Sequence, residues 1–264
     1  MNSPRVLFEL SGVIALEKPA GLPTQAPPGI PSAESWLRQR LYQEGNAGTT
    51  AGYLGVPHRI DRAVSGVLLF CNTPRAARKI SRQFERREIE KTYLAIVRGD
   101  SGDLFQNEDC VEWRDRIEKI PDQPQARIAG ATSPLAREAI TRVWLRGRLP
   151  GEVPPKAGWP TLFLELQPVT GRMHQLRLQA SCRGMPIVGD LLYGASLPEP
   201  YAIALSGEPP ADARALAIAL HAWKIVYADP DSGQRVVIEA PLPLSWPAFA
   251  HEAVAKLASD LTAQ

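Results

Sequence analysis

HRIDRAVSGVLLF, residues 58–70, sets a lone carboxylate, Asp61, between Arg59 and Arg62 and then opens an apolar run at Gly66. Val67, Leu68, Leu69 and Phe70 are too few for a helix and follow a glycine, so they read as a strand buried on both faces. That reading puts Asp61 in the loop by which the chain enters its core. Loops held by a rigid scaffold are where reactive groups concentrate. The triplet alone reads better as a surface salt bridge, so its surroundings decide.

Working outward, further strands are expected at residues 12–18, 93–99, 139–145, 161–167, 224–229 and 235–240, from short apolar runs or alternation. Helices fall irregularly between them. SAESWLRQRLYQEG (32–45) has Ser32 as its cap, and NTPRAARKISRQFERREIEKTY (72–93) starts with Asn72 or Thr73 as cap and Pro74 in the first turn. GRMHQLRLQASCRG (171–184) ends at Gly184. Strands mixed irregularly with a few helices predict an α+β fold, one mixed and mostly antiparallel sheet flanked by helices and loops. No domain boundary stands out. The Pro/Gly-rich piece at 148–160 separates two strand-like runs and reads as a hairpin loop.

The chain has 264 residues, 44% of them hydrophobic and 22% charged, which is ordinary for a globular protein with a large core. Mean hydropathy is −0.17. No apolar run approaches the roughly 20 residues of a membrane span, and the N-terminus lacks the pattern of a signal peptide. Cys71, Cys110 and Cys182 are an odd set without CxxC spacing, which points to a reducing, cytosolic setting and away from a zinc site. Net charge is only +2, so any nucleic-acid affinity must come from local concentration of cations.

Such a concentration exists at 72–93, with seven Lys/Arg against three Glu. Ala76, Ile80 and Phe84 share one helical face, and Arg75, Lys79, Arg82 and Arg86 form a second stripe. This stripe is either a solvated face or a track for phosphates. In the 171–184 helix, His174 and Arg177 point in a similar direction. Arg172 lies near the N-terminus, where a cation opposes the helix dipole and so suggests an anion to bind. A carboxylate partner for Asp61 is not evident: Glu85, Glu88 and Glu90 lie on or beyond the basic helix, and Asp190 in VGDLLYG looks like a turn residue. One-carboxylate chemistry is favoured over paired acid/base hydrolysis. His58, His174, His221 and Asp61 could be assembled on paper into a metal site, but no ligand spacing supports one, and phosphate-binding glycine loops and a GxSxG elbow are absent.

EKPAGLP, HRIDRAVSG, KTYLAIVRG, GRMHQLRLQASCRGMPIVGDLLYG, LHAWKIVYADPDSG and APLP occur in this order from about residue 13 to residue 244. Together they resemble the RluA-type family of RNA pseudouridine synthases. The resemblance implies the pseudouridine synthase fold as a single catalytic domain over 1–264, with no separate N-terminal RNA-binding domain. It implies isomerisation of specific uridines in structured rRNA or tRNA by base flipping. Asp61 resembles the catalytic aspartate, Arg59 the arginine that holds the flipped nucleotide, Tyr93 the tyrosine packed on the uracil, and Arg177 the cation paired with the aspartate. Leu176 or Ile60 would supply an apolar contact to the base. An ionised Asp61 would attack the sugar C1′ or take a proton from C2′. Arg75, Lys79, Arg82, Arg86 and Arg172 become candidates for the RNA backbone. No metal or organic cofactor is implied, the partner is RNA and not a membrane, and a cytosolic monomer is expected. Departures from the family pattern are Ile60, Val64, Met173 and Gln25. Val64 and Met173 keep a non-catalytic RNA-binding module as the competing reading.

Overall fold

A computed structural model of the chain describes residues 3–43, 52–100, 102, 104–105, 110–130, 132–148, 160–194 and 216–262. The expected hairpin loop at 148–160 lies largely outside the described residues. The chain divides into two compact units, one from the described residues through Thr92 with His221–Pro241, the other from Tyr93 onward with Ala217–Leu220 and the chain after Leu242.

The first unit orders its strands β1 (Arg5–Leu10), β2 (Val13–Lys18), β3 (Ser65–Cys71) and β9 (Leu220–Ala228), with β10 (Arg235–Glu239) on β9. All pairings are antiparallel except β3 with β9, which run parallel. β3 is buried at every position, as its apolar run requires. Burying Val67 through Phe70 stabilises by about 1.5–3 kcal/mol per side chain relative to exposure. Gly66 has φ +119°, and a Cβ there would lie 2.2 Å from the Ala222 carbonyl oxygen, so only glycine lets β9 approach.

Two helices pack in this unit. In α1 (Ala33–Gln43) the Ser32 hydroxyl accepts from the Ser35 N–H at 3.1 Å, the expected cap. In α2 (Pro74–Glu85) Thr73 is the cap, accepting from Ala76 N–H, and Ala76, Ala77 and Ile80 are buried. α2 stops much earlier than its charged sequence would allow. Glu88 N–H bonds the Gln83 carbonyl and Arg87 N–H the Phe84 carbonyl, with Arg87 left-handed at φ 60°. That is a Schellman termination with arginine where glycine is usual.

The second unit orders β4 (Glu90–Arg98), β8 (Thr161–Pro168), β7 (Arg137–Arg148), β5 (Cys110–Lys119) and β6 (Ala126–Ile128), all antiparallel. α3 (Gln175–Ser181) and α4 (Ala248–Thr262) complete it. α3 begins at Gln175, after a left-handed His174 at φ 53°, and so is shorter than the 171–184 pattern. Arg172 therefore precedes the helix, and its Nε donates to the Glu138 carbonyl at 2.9 Å. Met173, which departs from the family pattern, packs against a core cluster of Ile117, Ala126, Ala139 and Leu178. The mixed, mostly antiparallel α+β architecture agrees with the sequence reading.

Candidate active site

In the first unit, the loop that carries Asp61 is fixed at nearly every flanking residue. Gly55 bridges to Cys71 at the far end of β3 by two backbone bonds of 2.7 and 3.0 Å. His58 Nε2 accepts from Leu69 N–H at 2.9 Å, and its ring stacks on Phe84 of α2 with centroids 4.6 Å apart. The Thr24 hydroxyl donates to the Ile60 carbonyl at 3.0 Å and accepts from the Ile60 N–H at 3.3 Å. Beyond Asp61, Val64 N–H closes a turn on the Asp61 carbonyl at 3.1 Å. Arg62 joins the loop to the turn after β2: its Nε donates to the Gly21 carbonyl at 2.9 Å, and its own carbonyl accepts from Gly21 N–H at 2.7 Å. The two arginines of the opening triplet thus differ. Arg62 is a staple within the fold, whereas Arg59 is exposed and its guanidinium bonds nothing among the described residues.

Beneath this loop is a residue that sequence reasoning passed over. Lys18, at the end of β2, is fully buried and its Nζ donates to the carbonyls of Leu22 (2.6 Å), Pro19 (2.9 Å) and Arg62 (3.3 Å). Burial pushes the ammonium down to about 7, the Asp61 carboxylate pulls it back up and Arg62 pushes it down. Asp61, itself half-buried, therefore lies within the field of a buried lysine. In EKPAG the lysine stands directly before a proline turn, and in the fold the Pro19 and Leu22 carbonyls of that turn close onto its ammonium.

Two of the histidines spend their ring nitrogens on the fold. Burial, and secondarily Lys91, push His58 down to about 3, so it is a neutral acceptor at Nε2. His221 is buried and pushed down to about 4 by that burial; its Nε2–H donates to the Ala240 carbonyl at 3.3 Å, so Nδ1 accepts from the Ser65 hydroxyl at 2.8 Å.

The second unit holds the other residues that the family pattern selects. Tyr93 is half-buried at the start of the paired part of β4, opposite Leu166. Leu176 is buried in α3. Arg177, one residue on, is buried and gives Nε and Nη2 to the two carboxylate oxygens of Asp190, both at 2.7 Å. Asp190 also accepts from Leu192 and Tyr193 N–H, so it is a turn residue, as its sequence suggested, and a guanidinium anchor, which its sequence did not reveal. Tyr193 joins the group: the Arg177 guanidinium stands 5.1 Å from its ring centroid. The Tyr193 hydroxyl accepts from Ala126 N–H and lies 2.7 Å from His174 Nδ1. His174 and Arg177 do share a direction, and both meet Tyr193. Gln175 and Gln179 tie α3 to β7 and β5 through the Ile140, Ala139 and Trp113 carbonyls and the Thr141 hydroxyl.

Comparisons with known proteins agree with one another. A family model described as RNA pseudouridylate synthase matches residues 12–181. The ribosomal large subunit pseudouridine synthase D of Nitrosomonas europaea is 30% identical over 243 residues, a match that takes in 90% of this chain and 62% of that protein, so the chain spans less than two thirds of its length. The dual-specificity RNA pseudouridine synthase RluA of Haemophilus influenzae is 28% identical, with 89% of this chain and 91% of that one aligned. The tRNA pseudouridine synthase C of Salmonella typhimurium is 31% identical, with 91% and 86% aligned. Among solved structures, human RNA pseudouridylate synthase domain containing 1 superposes with a TM-score of 0.66 at 23% identity, over 91% of this chain and 84% of that one, and shares its fold.

Proposed function

Because the chain belongs to the RNA pseudouridylate synthase family, we propose that it isomerises uridines of rRNA or tRNA to pseudouridine with Asp61 as the reacting carboxylate. In this isomerisation the C1′–N1 bond breaks, the uracil turns, and C1′ bonds to C5. The C5 hydrogen leaves as N1 gains one, so no energy source or redox partner is required. The reacting atoms are hidden in a stacked helix, and flipping the nucleotide out costs about a few kcal/mol. Stacking on Tyr93 would return roughly 1–3 kcal/mol of this. Arg59, exposed beside Asp61, is suited to hold the flipped nucleotide. Leu176 or Ile60 supplies the apolar contact, and Arg177, oriented by Asp190, supplies the cation for the carboxylate.

The observation that carries this reading is the family match over 12–181, which includes Asp61, Tyr93, Leu176 and Arg177. The pinned loop supports it: a carboxylate meant to meet C1′ or the C2′ hydrogen must stay in place while a base swings in. The same reading takes the two units as one catalytic domain, acting as a cytosolic monomer on RNA. No helix among the described residues is long and apolar enough to cross a membrane.

Asp61→Asn is expected to abolish pseudouridine formation, measured by mapping the modified base in total RNA, while RNA affinity stays within a few-fold. Retained turnover would sink the assignment. Uridine deuterated at C2′ then separates the two routes: a primary isotope effect selects proton removal, and its absence selects attack at C1′.

A further inference from the structure

The cations of α2 fall into two rows that do different work. Arg75, Lys79 and Gln83, spaced by four, face the end of β9 and the turn after it. Arg75 pairs with Asp231 at 3.2 Å, and Lys79 Nζ donates to the Pro230 carbonyl. Gln83 uses both ends of its amide on Ala228, donating to the carbonyl and accepting from the N–H at 2.8 Å each. This row holds the helix to the sheet.

The next row, Arg78, Arg82 and Arg86, lies about 60° around the helix from it at the same four-residue spacing. Arg78 and Arg82 are exposed and their guanidiniums bond nothing among the described residues, and Arg86 has only a 3.8 Å approach to Glu88, both ends being exposed. Arg87 extends the row past the helix end, exposed, in the left-handed conformation that closes the helix. Glycine would fill that position with less strain. The row is joined to the Asp61 loop through the stacking of His58 on Phe84 of the same helix.

We propose that Arg78, Arg82, Arg86 and Arg87 form the track for the RNA phosphodiester backbone, and that Arg75 and Lys79 act within the fold instead. The proposal rests on the synthase reading and gives it a binding face. Three guanidiniums spaced by about one helical turn, with a fourth next to the last, suit phosphates, which take planar bidentate partners. Within the segment 78–88 the only carboxylates are the exposed Glu85 and Glu88, at the C-terminal end of the track.

The test is the slope of log affinity against log salt for a uridine-containing RNA hairpin, measured on the Asp61→Asn background so that no turnover intervenes. The R78Q/R82Q/R86Q variant should lower the slope by about 2, at about 0.7 per lost contact. R87G should lower it by about 0.7 with a melting temperature equal to or above that of its parent, so lost binding cannot be ascribed to lost folding. R75Q/K79Q should keep the parent's slope and melt earlier. An unchanged slope in R78Q/R82Q/R86Q, or a larger slope loss in R75Q/K79Q, overturns the proposal. The synthase reading fails on a different measurement, pseudouridine formation with intact Asp61, so the two failures are distinguishable.

Discussion

Lys18 has three N–H donors when protonated and meets three carbonyl oxygens, one of which belongs to the residue directly after Asp61. The protonated form matches that cage; a neutral amine would turn a lone pair toward one of its oxygens. Its position in the fold nonetheless lowers its pKa to about 7, below the roughly 10.4 of an unfolded lysine. Between those values the unfolded chain binds more protons, so stability rises with pH through this window, and the cost of burying the ammonium is complete below it. Lys18→Met removes that dependence. The difference in urea-unfolding free energy between parent and variant should therefore grow in the parent's favour from pH 7 to pH 9.5, and parallel curves would refute the assignment. Without its staple the Asp61 loop shifts, and kcat should fall by about 10²-fold with little change in KM. Asp61 was legible as a candidate only through the ordered motifs around it, since an acid between two arginines reads on its own as a surface salt bridge. Lys18 was not, because a lysine ending a strand reads as the strand's solvated end. Only the Pro19–Leu22 turn, whose carbonyls close over Nζ, makes that end interior.

At the level of elements, the strands that could be read were those whose burial is one-sided or complete. β2, β3, β4, β7, β8, β9 and β10 all carry the apolar runs or alternation that announced them. β1 was missed because it is an edge strand with exposed ends, and β6 because three residues give no period. β5 was missed for a more instructive reason. Its outward positions, Glu112, Arg114 and Arg116, are charged, and its inward series Trp113, Asp115, Ile117 is broken by an acid. Asp115 sits there because Gln179 and Arg183 of the α3 region bond it at 2.8 and 2.9 Å, a partnership that no local pattern contains. Gly66 is the reverse case, a local residue with a clear long-range reason. Gly66→Ala would place Cβ against the Ala222 carbonyl in a backbone region that L-residues avoid. The parallel β3–β9 pairing should part, at a cost of at least about 3 kcal/mol. For a chain of this size that lowers the melting temperature by roughly 6–12 °C, measurable by calorimetry. A fully stable variant would mean that β9 does not need the close approach.

For the whole molecule, the residues of the proposed reaction are divided between the two units: Asp61 and Arg59 belong to one, Tyr93, Leu176 and Arg177 to the other. Among the described residues the division falls twice inside strands, between Thr92 and Tyr93 in β4 and between Leu220 and His221 in β9, and twice outside them, between Leu216 and Ala217 and between Pro241 and Leu242. A domain boundary normally falls in an exposed linker that few contacts cross. At the two places inside strands the chain passes from unit to unit without leaving a strand, so composition and Pro/Gly content give no sign of a boundary there. If the units act as one catalytic domain, as we propose, each strand that begins in one and ends in the other couples their unfolding. Denaturation should then be a single transition, coincident by far-UV circular dichroism and by tryptophan fluorescence. The fluorescence has reporters on both sides, with Trp223 in the first unit and Trp113 in the second, both buried. Two resolved transitions would show that the units are independent domains. The shared reaction of Asp61 and Arg177 would then have to be argued from function alone, by asking whether Arg177→Lys and Tyr93→Ala lower single-turnover pseudouridine formation at saturating RNA.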